Sequence, residues 1–546
     1  MNVWDARWER WMEKVTDEAL RAELAAMDET QREDAFYREL EFGTGGLRGV
    51  LGAGSNRMNI HVVARATQGI ANYLHAEGLP LSAAIGYDSR IFSRRFAETA
   101  AAVFAANGVA VHIYDVLMPS PALSFAVRYY GCGVGVMITA SHNPAAYNGY
   151  KVYGPDGCQI TSAAAEKIQQ TILALDTFED VRSGAEAPIS LIGPEVKEAY
   201  LTAVSSQSLF DGGERSVPIV YTPLNGAGIS CVPDILRRHG FTNVIIPEAQ
   251  REPDGNFPTC PYPNPEIREA LAVGLRCAEE RGAELLLATD PDCDRVGVAV
   301  RTETGYELLN GNQTGVLLLD FVCRRRLERG TLPPNPIVIK TIVTTPMAVP
   351  VARAYGASVV DTLTGFKYIG EYVGELEKCG QESRWLFGFE ESYGYLSHSA
   401  VRDKDAVNAS LLVAEMFLWY RERGLTLMDG LEALYRQHGW YRERLLTFTF
   451  PGSAGLAAMG ERMAFLRREG WEGQRFRDYL DKDTGLPRAD VLQLFRADGS
   501  LVTVRPSGTE PKLKIYLAAR GENAVEADNK LDGLEAAFGR WARGEV

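Results

Sequence analysis

The chain has 546 residues, 46% hydrophobic and 23% charged, which is enough for three or four domains with separate cores. Its formal net charge of −14 disfavours nucleic-acid and anionic-membrane partners, so a phosphate-bearing ligand would need a locally basic pocket. The chain contains no apolar run of roughly 18 residues, and its N-terminal segment is charged throughout. We therefore expect a cytoplasmic protein with neither a spanning helix nor a secretory signal.

The first elements predict an α/β domain. Residues 4–40 place apolar and charged side chains at helical spacing, and a glycine-rich segment follows at 43–49. Strand-like apolar runs then alternate with a helical stretch, over residues 83–86, 94–106 (helical), 109–114 and 133–139. This alternation is typical of βα units in a mostly parallel sheet.

The pattern recurs twice, with strands at 217–221 and 284–288 and again at 337–342 and 385–389. We therefore predict three successive α/β domains with mostly parallel mixed sheets around a central cleft. Polar loops that follow their strands are candidate ligand sites, because parallel sheets bind ligands at the carboxyl ends of their strands.

The last part of the chain differs. Runs at 491–496 and 501–505 flank a turn at Asp498 and Gly499, followed by a strand at 512–518 and a helix at 524–541. This order predicts a smaller C-terminal α+β domain. The expected domain boundaries are 1–207, 208–310, 311–435 and 436–546.

Ser141 is the candidate nucleophile. It lies in the sequence TASHNP, directly after the apolar run 133–138, so its hydroxyl would project from the end of a strand. Taken alone, such a loop is more typical of a turn or a helix cap.

The candidate metal site is the sequence DPDCDR, which holds Asp290, Asp292 and Asp294. Three carboxylates in five residues would repel one another without a cation between them. A calcium loop of the EF-hand type is rejected, because its sixth and twelfth positions hold Arg295 and Arg301 in place of Gly and Glu. A solvated acidic turn is the remaining alternative to a catalytic Mg²⁺ site.

Two further loops suit a sugar phosphate. RPSGTEP, from Arg505, joins two predicted strands and combines a guanidinium, hydroxyls and a glycine, although an ordinary hairpin would use similar residues. GFEES, from Gly388, offers carboxylates that could bind sugar hydroxyls, or it could begin a helix with an acidic first turn.

Together TASHNP, DPDCDR, GFEES and RPSGTEPK, in this order and at domain-sized spacing, closely resemble the α-D-phosphohexomutase superfamily of phosphoglucomutases and phosphomannomutases. The length and the sequence GFEESYGY look most like the long bacterial phosphoglucomutases and the related animal phosphopentomutases. Further matching segments are GLRG at 46–49, NGYK at 148–151, TLTGFK at 362–367 and RDKD at 402–405.

The resemblance implies a role for each matching residue. Ser141 would carry the phosphoryl group and bind Mg²⁺ through it, together with the three aspartates. The catalytic residues would be Ser141, His142, Lys151 and Arg48, with Lys151 preferred over His142 as the general base. The substrate-binding residues would be Arg48, Asp294, Arg295, Thr364, Glu390, Ser392, Lys404, Arg505, Ser507, Gly508 and Thr509.

The implied reaction interconverts glucose 1-phosphate and glucose 6-phosphate through glucose 1,6-bisphosphate, which would serve as intermediate and activator. The partner would be a small sugar phosphate, and the chain a monomer or a homodimer. The alternatives are action on pentose or mannose phosphates, a phosphatase, and a non-catalytic sugar-phosphate sensor. Mannose phosphates are less favoured, because the GEMSGH sequence often found in enzymes of dual specificity is replaced here by GFEESYG.

Overall fold

A computed structural model describes residues 2–43, 45–507 and 511–545. Two compact units divide the chain. The first unit comprises Met1–Asn310, Ile369–Glu382 and Ser392–Trp419, and the second comprises Gly311–Tyr368, Ser383–Glu391 and Tyr420–Val546.

The helices and strands alternate through most of the chain. The α-helices are α1 (Val3–Lys14), α2 (Glu18–Ala26), α3 (Glu29–Phe36), α4 (Ile60–Glu77), α5 (Ser93–Ala106), α6 (Ser120–Tyr130), α7 (Ser162–Leu173), α8 (Pro194–Ser205), α9 (Val232–Arg238), α10 (Glu248–Arg251), α11 (Ala272–Arg281), α12 (Gly311–Glu328), α13 (Ala348–Arg353), α14 (Phe366–Lys378), α15 (Ala406–Arg421), α16 (Leu427–His438), α17 (Gly452–Glu469) and α18 (Ala524–Arg543). The strands are β1 (Gly46–Val50), β2 (Ser82–Tyr87), β3 (Ala110–Tyr114), β4 (Val134–Ile138), β5 (Tyr147–Tyr153), β6 (Ile189–Ile192), β7 (Ile219–Thr222), β8 (Val244–Ile245), β9 (Leu285–Thr289), β10 (Val296–Thr302), β11 (Gly305–Leu309), β12 (Ile337–Thr341), β13 (Ser358–Thr362), β14 (Trp385–Glu390), β15 (Gly394–Leu396), β16 (Trp440–Thr449), β17 (Arg477–Asp478), β18 (Leu492–Phe495), β19 (Leu501–Pro506) and β20 (Lys512–Gly521).

The first sheet of unit 1 has the order β1-β5-β4-β2-β3-β6. Strands β4, β2, β3 and β6 are parallel, whereas β5 runs antiparallel to both β4 and β1. Every residue of β4 is buried, as expected for a central parallel strand covered on both faces. Ile85, Val136 and Phe104 are fully buried members of this core.

The second sheet of unit 1 has the order β11-β10-β9-β7-β8. Strands β7, β8 and β9 are parallel, and the β10–β11 hairpin continues the sheet in antiparallel fashion. Strand β9 is buried along its whole length, so the loop that begins at Asp290 leaves the sheet from its interior.

The N-terminal segment departs from the sequence prediction of one continuous helical stretch. It forms three helices, because the side chains of Asp17 and Asp28 accept hydrogen bonds from the backbone N–H groups of Leu20 and Gln31 and so begin α2 and α3. Trp11 and Phe36 of this segment pack against the first sheet's domain in a common apolar cluster, with Ala53 and Phe178.

Unit 2 contains two sheets. Strand β12 pairs in parallel with β13 and β14, and the antiparallel C-terminal sheet has the order β16-β20-β19-β18-β17. Helices α17 and α18 share the apolar core of this last sheet. The prediction of three α/β domains and a C-terminal α+β domain is thus confirmed. Among the described residues, no helix is long and apolar enough to cross a membrane.

Candidate active site

Ser141 lies in a constrained loop after β4. Its φ angle is +52°, a conformation that costs a residue other than glycine on the order of 1–2 kcal/mol. The Ser141 backbone N–H donates to Thr139 Oγ1 over 2.8 Å, and the Thr139 N–H donates to the Gly149 carbonyl of β5 over 3.1 Å. A Cβ atom on Gly149 would lie 2.5 Å from the Thr139 carbonyl oxygen, so glycine is required for this close approach. The serine loop is therefore fixed to two neighbouring strands.

The Arg90 side chain binds the backbone of the same loop. Its buried guanidinium donates to the carbonyl oxygens of Ser141 and Asn143, and over 3.0 Å to those of Pro144 and Tyr147. Arg90 is not among the residues predicted from the sequence. The signal that could have found it is the polar segment Asp88-Ser89-Arg90, which directly follows the buried strand β2.

The aspartate triplet follows β9 and is buried. Asp290, Asp292 and Asp294 each offer a carboxylate oxygen, and these oxygens lie within 4.8 Å of one another. Cys293 in this loop has a φ angle of +52°. Gly226 packs closely on Pro291, and a Cβ atom on Gly226 would lie 2.4 Å from the Cα atom of Pro291.

This triplet fits a hard divalent cation. Within the described part of the chain, Asp292 Oδ1 and Asp294 Oδ1 are buried without a hydrogen-bond partner. Buried carboxylate oxygens that lack donors are energetically costly unless a cation binds them, and oxygen ligands are those that Mg²⁺ prefers. The buried geometry also contradicts the alternative of a solvated acidic turn.

The structure brings the serine and the triplet together, although they are 149 residues apart in the chain. Ser141 Oγ donates to Asp290 Oδ2 over 2.9 Å. His142 Nδ1 lies 3.2 Å from the same Oγ. The two motifs that the sequence analysis singled out therefore form one site.

Cationic side chains surround the carboxylates. Lys151 Nζ donates to Asp292 over 2.6 Å and to Asp294 over 3.0 Å, and Lys404 Nζ lies 3.3 Å from Asp294. Burial opposes ionisation of Asp294, but Lys151, Lys404 and Arg295 outweigh it and lower the pKa of this carboxyl. The pKa of Asp290 is raised well above its usual value, by burial first and then by the charges of the other two aspartates. Asp294 therefore ionises more readily than a free carboxyl group, and Asp290 ionises less readily.

The proton-transfer candidates differ in their charge. Burial lowers the pKa of His142 to about 2, with Arg295 and Arg48 acting in the same direction, so the imidazole is neutral at pH 7. Burial would also lower the pKa of Lys151, but Asp292 and Asp294 reverse this and raise it, so the side chain is an ammonium. Arg48 lies on β1 and donates to Asn143 Oδ1 over 3.4 Å.

Ser120 and Asp403 support the site. Ser120 is not among the residues predicted from the sequence, and Asp403 lies in the matching RDKD segment but was given no role there. Ser120 Oγ donates to Asp292 Oδ2 over 2.8 Å, and the Ser120 N–H donates to the Asp292 carbonyl over the same distance. Asp403 accepts hydrogen bonds from Tyr153 and Gln159, which places the neighbouring Lys404. Neither contact leaves a local sequence signal, because the partners are far apart in the chain.

The remaining predicted residues divide between the units. Ser392 and Lys404 belong to unit 1, and Thr364, Glu390, Arg505 and Ser507 belong to unit 2. The GFEES segment ends strand β14 at the buried Glu390 and does not begin a helix, which contradicts that alternative. Gly508 and Thr509 lie outside the described residues.

Glu391 directly follows Glu390, and two threonine hydroxyls of unit 2 bind one oxygen of its carboxylate. Thr341 Oγ1 and Thr344 Oγ1 donate to Glu391 Oε2 over 3.2 and 3.1 Å. Burial, and then the charge of Glu390, raise the pKa of Glu391 to about 7. The hydroxyl of Thr364 is buried, with no hydrogen-bond partner in the described part of the chain.

Replacing Ser120 should weaken metal binding. Ser120→Ala removes the hydroxyl that orients Asp292, and we expect the Kd for Mg²⁺, measured by isothermal titration calorimetry, to rise about tenfold. Ser124→Ala is the control, since Ser124 lies one turn later on α6 and donates to the Gly157 carbonyl instead. Equal Mg²⁺ affinity in both variants and the wild type would contradict this role of Ser120.

His142 should make stability depend on pH. Its folded pKa is depressed, so between about pH 2 and pH 6.5 the unfolded chain binds a proton that the folded chain does not, and stability falls by up to about 1.4 kcal/mol per pH unit on acidification. His142→Gln removes this term. We expect the melting temperature of the variant to decrease less than that of the wild type between pH 7 and pH 5. A difference that does not change with pH would refute the assignment.

Comparison with known proteins gives a consistent result along the chain. Four segments match the domains of the phosphoglucomutase/phosphomannomutase family. Residues 39–179, 198–305 and 310–438 match its alpha/beta/alpha domains I, II and III in that order, and residues 456–528 match its C-terminal domain. The boundaries that the sequence analysis predicted remain a prediction.

Two relatives cover nearly the whole chain. A phosphoglucomutase of Staphylococcus haemolyticus is 34% identical over 542 residues, covering 94% of this chain and 96% of its own length. That of Staphylococcus saprophyticus is 33% identical over 547 residues, covering 96% and 98%.

Solved structures share the fold at low identity. A phosphoglucomutase/phosphomannomutase family protein from Burkholderia thailandensis is 18% identical, with a TM-score of 0.69 over 92% of this chain and 97% of its own. Parafusin from Paramecium, in an open form, is also 18% identical, with a TM-score of 0.69 over 93% and 95%. With all four domains matched, the resemblance predicted from the sequence motifs is confirmed, and the chain belongs to the phosphoglucomutase/phosphomannomutase family.

Proposed function

We propose that the chain interconverts glucose 1-phosphate and glucose 6-phosphate by way of a phosphorylated Ser141 and glucose 1,6-bisphosphate. The single observation that carries the proposal is the 2.9 Å contact between Ser141 Oγ and Asp290 within the buried triplet. A hydroxyl fixed beside a divalent-cation site suits the storage and release of a phosphoryl group. The names of the full-length relatives favour glucose phosphates as substrates.

Asp290, Asp292 and Asp294, with an oxygen of phosphorylated Ser141, would hold Mg²⁺. When bound, the ion supplies positive charge that stabilises the negative charge on the transferring phosphoryl group. Because the transition state of phosphoryl transfer is loose, alignment and electrostatic stabilisation are the main tasks of the protein. Arg48 and Arg295 are the predicted sources of further positive charge.

The exchange consists of two mirrored transfers. In the first transfer, the bond between Ser141 Oγ and phosphorus breaks while the free hydroxyl oxygen of glucose 1-phosphate bonds to that phosphorus. The sugar hydroxyl loses its proton, and Ser141 Oγ gains one. In the second transfer, Ser141 Oγ takes the other phosphoryl group of the bisphosphate, which leaves glucose 6-phosphate.

Lys151 and His142 are proposed for the proton transfers. The raised pKa of Lys151 favours the acid half of the exchange, in which an ammonium donates a proton to the leaving oxygen. His142 Nδ1 lies 3.2 Å from Ser141 Oγ, within hydrogen-bond distance of this oxygen. The general-base role of either residue stays a prediction.

Recognition of the sugar phosphate is assigned to the remaining predicted residues. Glu390 and Ser392 would bind sugar hydroxyls, Thr364 and Lys404 would add contacts, and the Arg505 loop, with Ser507, Gly508 and Thr509, would bind the phosphate that is not being transferred. A single phosphate-binding loop would serve both orientations of the bisphosphate. We also propose that the protein is a monomer or a homodimer in the cytosol, without nucleic-acid or membrane partners.

Intact-mass measurement tests the covalent step. After incubation with glucose 1,6-bisphosphate and Mg²⁺, the wild type should carry one additional phosphoryl group, because Ser141 Oγ is the acceptor. Ser141→Ala should gain none and should lose mutase activity, by at least about a thousandfold. Ser124→Ala again serves as the control. Isomerisation by Ser141→Ala at the normal rate would refute the mechanism.

Comparison of substrates tests the assignment of the sugar. We expect kcat/KM for glucose 1-phosphate to exceed that for ribose 1-phosphate and for mannose 1-phosphate by at least about tenfold, because buried carboxylates that bind hydroxyls discriminate against sugars that leave them unpaired. A preference for ribose 1-phosphate would establish the pentomutase alternative. Release of inorganic phosphate without isomerised sugar would establish a phosphatase.

A further inference from the structure

A buried glutamine links the two sheets of unit 2. Gln493 lies on β18 of the C-terminal sheet and is 2% exposed. Its Nε2 atom donates to the carbonyl oxygen of Ile342 over 2.7 Å and to Thr503 Oγ1 over 3.0 Å, and its Oε1 atom accepts from the Tyr479 hydroxyl over 2.5 Å. All the hydrogen-bonding atoms of the amide group thus have partners in the interior.

One end of this link reaches the loop that holds Glu391. Ile342 directly follows β12, between Thr341 and Thr344, whose hydroxyls both donate to Glu391. The buried ammonium of Lys340 donates to the carbonyl oxygens of Thr341 and Thr344, each over 3.2 Å. This loop therefore has little freedom to move independently of the Ile342 carbonyl.

The other end reaches the strand that carries Arg505. Thr503 lies on β19 two residues before Arg505, so both side chains leave the same face of that strand. Thr503 pairs directly with Tyr516 of β20. Burial and the charge of Glu391 raise the pKa of Tyr516, whereas the charge and hydrogen bond of Arg505 lower it.

Apolar packing encloses the amide. Ile342 and Val343 from the β12 loop share a buried cluster with Tyr479 and Val491 of the C-terminal domain, and Tyr516 packs against it. A hydrogen bond inside such a cluster is shielded from water, and its loss leaves a buried polar group without a partner. The position of the C-terminal sheet against the β12 loop therefore depends on Gln493.

We propose that Gln493 is a positioning residue that sets the separation between Arg505 and the Glu390–Glu391 pair, and that this separation favours hexose phosphates over pentose phosphates. The inference rests on the proposed function, in which Arg505 binds the phosphate that is not transferred and Glu390 binds sugar hydroxyls. A pyranose and a furanose place their hydroxyls at different distances from the phosphate, so a fixed separation discriminates between them.

The test compares Gln493→Met with Gln68→Met. Methionine keeps the approximate volume and removes the hydrogen bonds of the amide. Gln68 is also 2% exposed and fully hydrogen-bonded, but it joins α4 to Asn107 in unit 1. The variants are assayed with Mg²⁺ on glucose 1-phosphate and ribose 1-phosphate, and phosphorylation of Ser141 is followed by intact mass.

We expect Gln493→Met to lower the ratio of kcat/KM for glucose 1-phosphate to that for ribose 1-phosphate about tenfold, mainly through a higher KM for glucose 1-phosphate. Its Ser141 phosphorylation should match the wild type. Gln68→Met should keep the wild-type ratio within about twofold. Thr503→Val removes one acceptor of the same amide and should shift the ratio in the same direction, which keeps the test decisive if Gln493→Met does not fold.

An unchanged ratio in Gln493→Met, or an equal change in Gln68→Met, would overturn the positioning role while leaving the proposed function intact. Failure of the wild type to isomerise glucose 1-phosphate would instead overturn the proposed function, and the inference with it.

Discussion

The structure of unit 1 depends on the burial of three carboxylates beside one hydroxyl. Asp290, Asp292 and Asp294 are almost fully excluded from water, and like charges at this spacing repel strongly in a medium of low dielectric constant. Lys151 and Lys404 offset part of this repulsion through direct contacts with the triplet. Lys151 on β5 and Lys404 both contact Asp294, so removal of either cation would leave more of the buried negative charge uncompensated.

These constraints explain why the surrounding backbone is unusual. Ser141 and Cys293 both adopt positive φ angles, and both belong to loops that end buried strands. The strain is maintained because the Arg90 guanidinium binds the carbonyl oxygens of the serine loop, while Gly226 allows the metal loop to approach its neighbour closely. These contacts thus hold Ser141 and the aspartate triplet in place before any substrate binds, which is the preorganisation that the proposed phosphoryl transfer requires.

Much of the fold and of the candidate site could be predicted from the sequence, for physical reasons. Buried parallel strands are continuous apolar runs, so β4 and β9 were visible, and the polar residues that end them marked the site. Arg90 was missed because its partners are carbonyl oxygens, which every residue possesses. Ser120 was missed because its contact with Asp292 spans 172 residues and leaves no local pattern. The N-terminal helices were merged because aspartates that cap helices resemble ordinary surface charges in an amphipathic pattern.

The residues proposed for phosphoryl transfer belong to one unit. Ser141, the aspartate triplet and Lys151 all lie in unit 1, so the groups proposed for the transfer are held within one compact body. Glu390, Glu391 and Arg505 belong to unit 2, where Thr341 and Thr344 fix the second glutamate and Gln493 joins their loop to the C-terminal sheet. Under the proposed roles, substitutions at Glu390 or Arg505 should change sugar preference without changing phosphorylation of Ser141, because the transferred phosphoryl group is the same for every sugar phosphate.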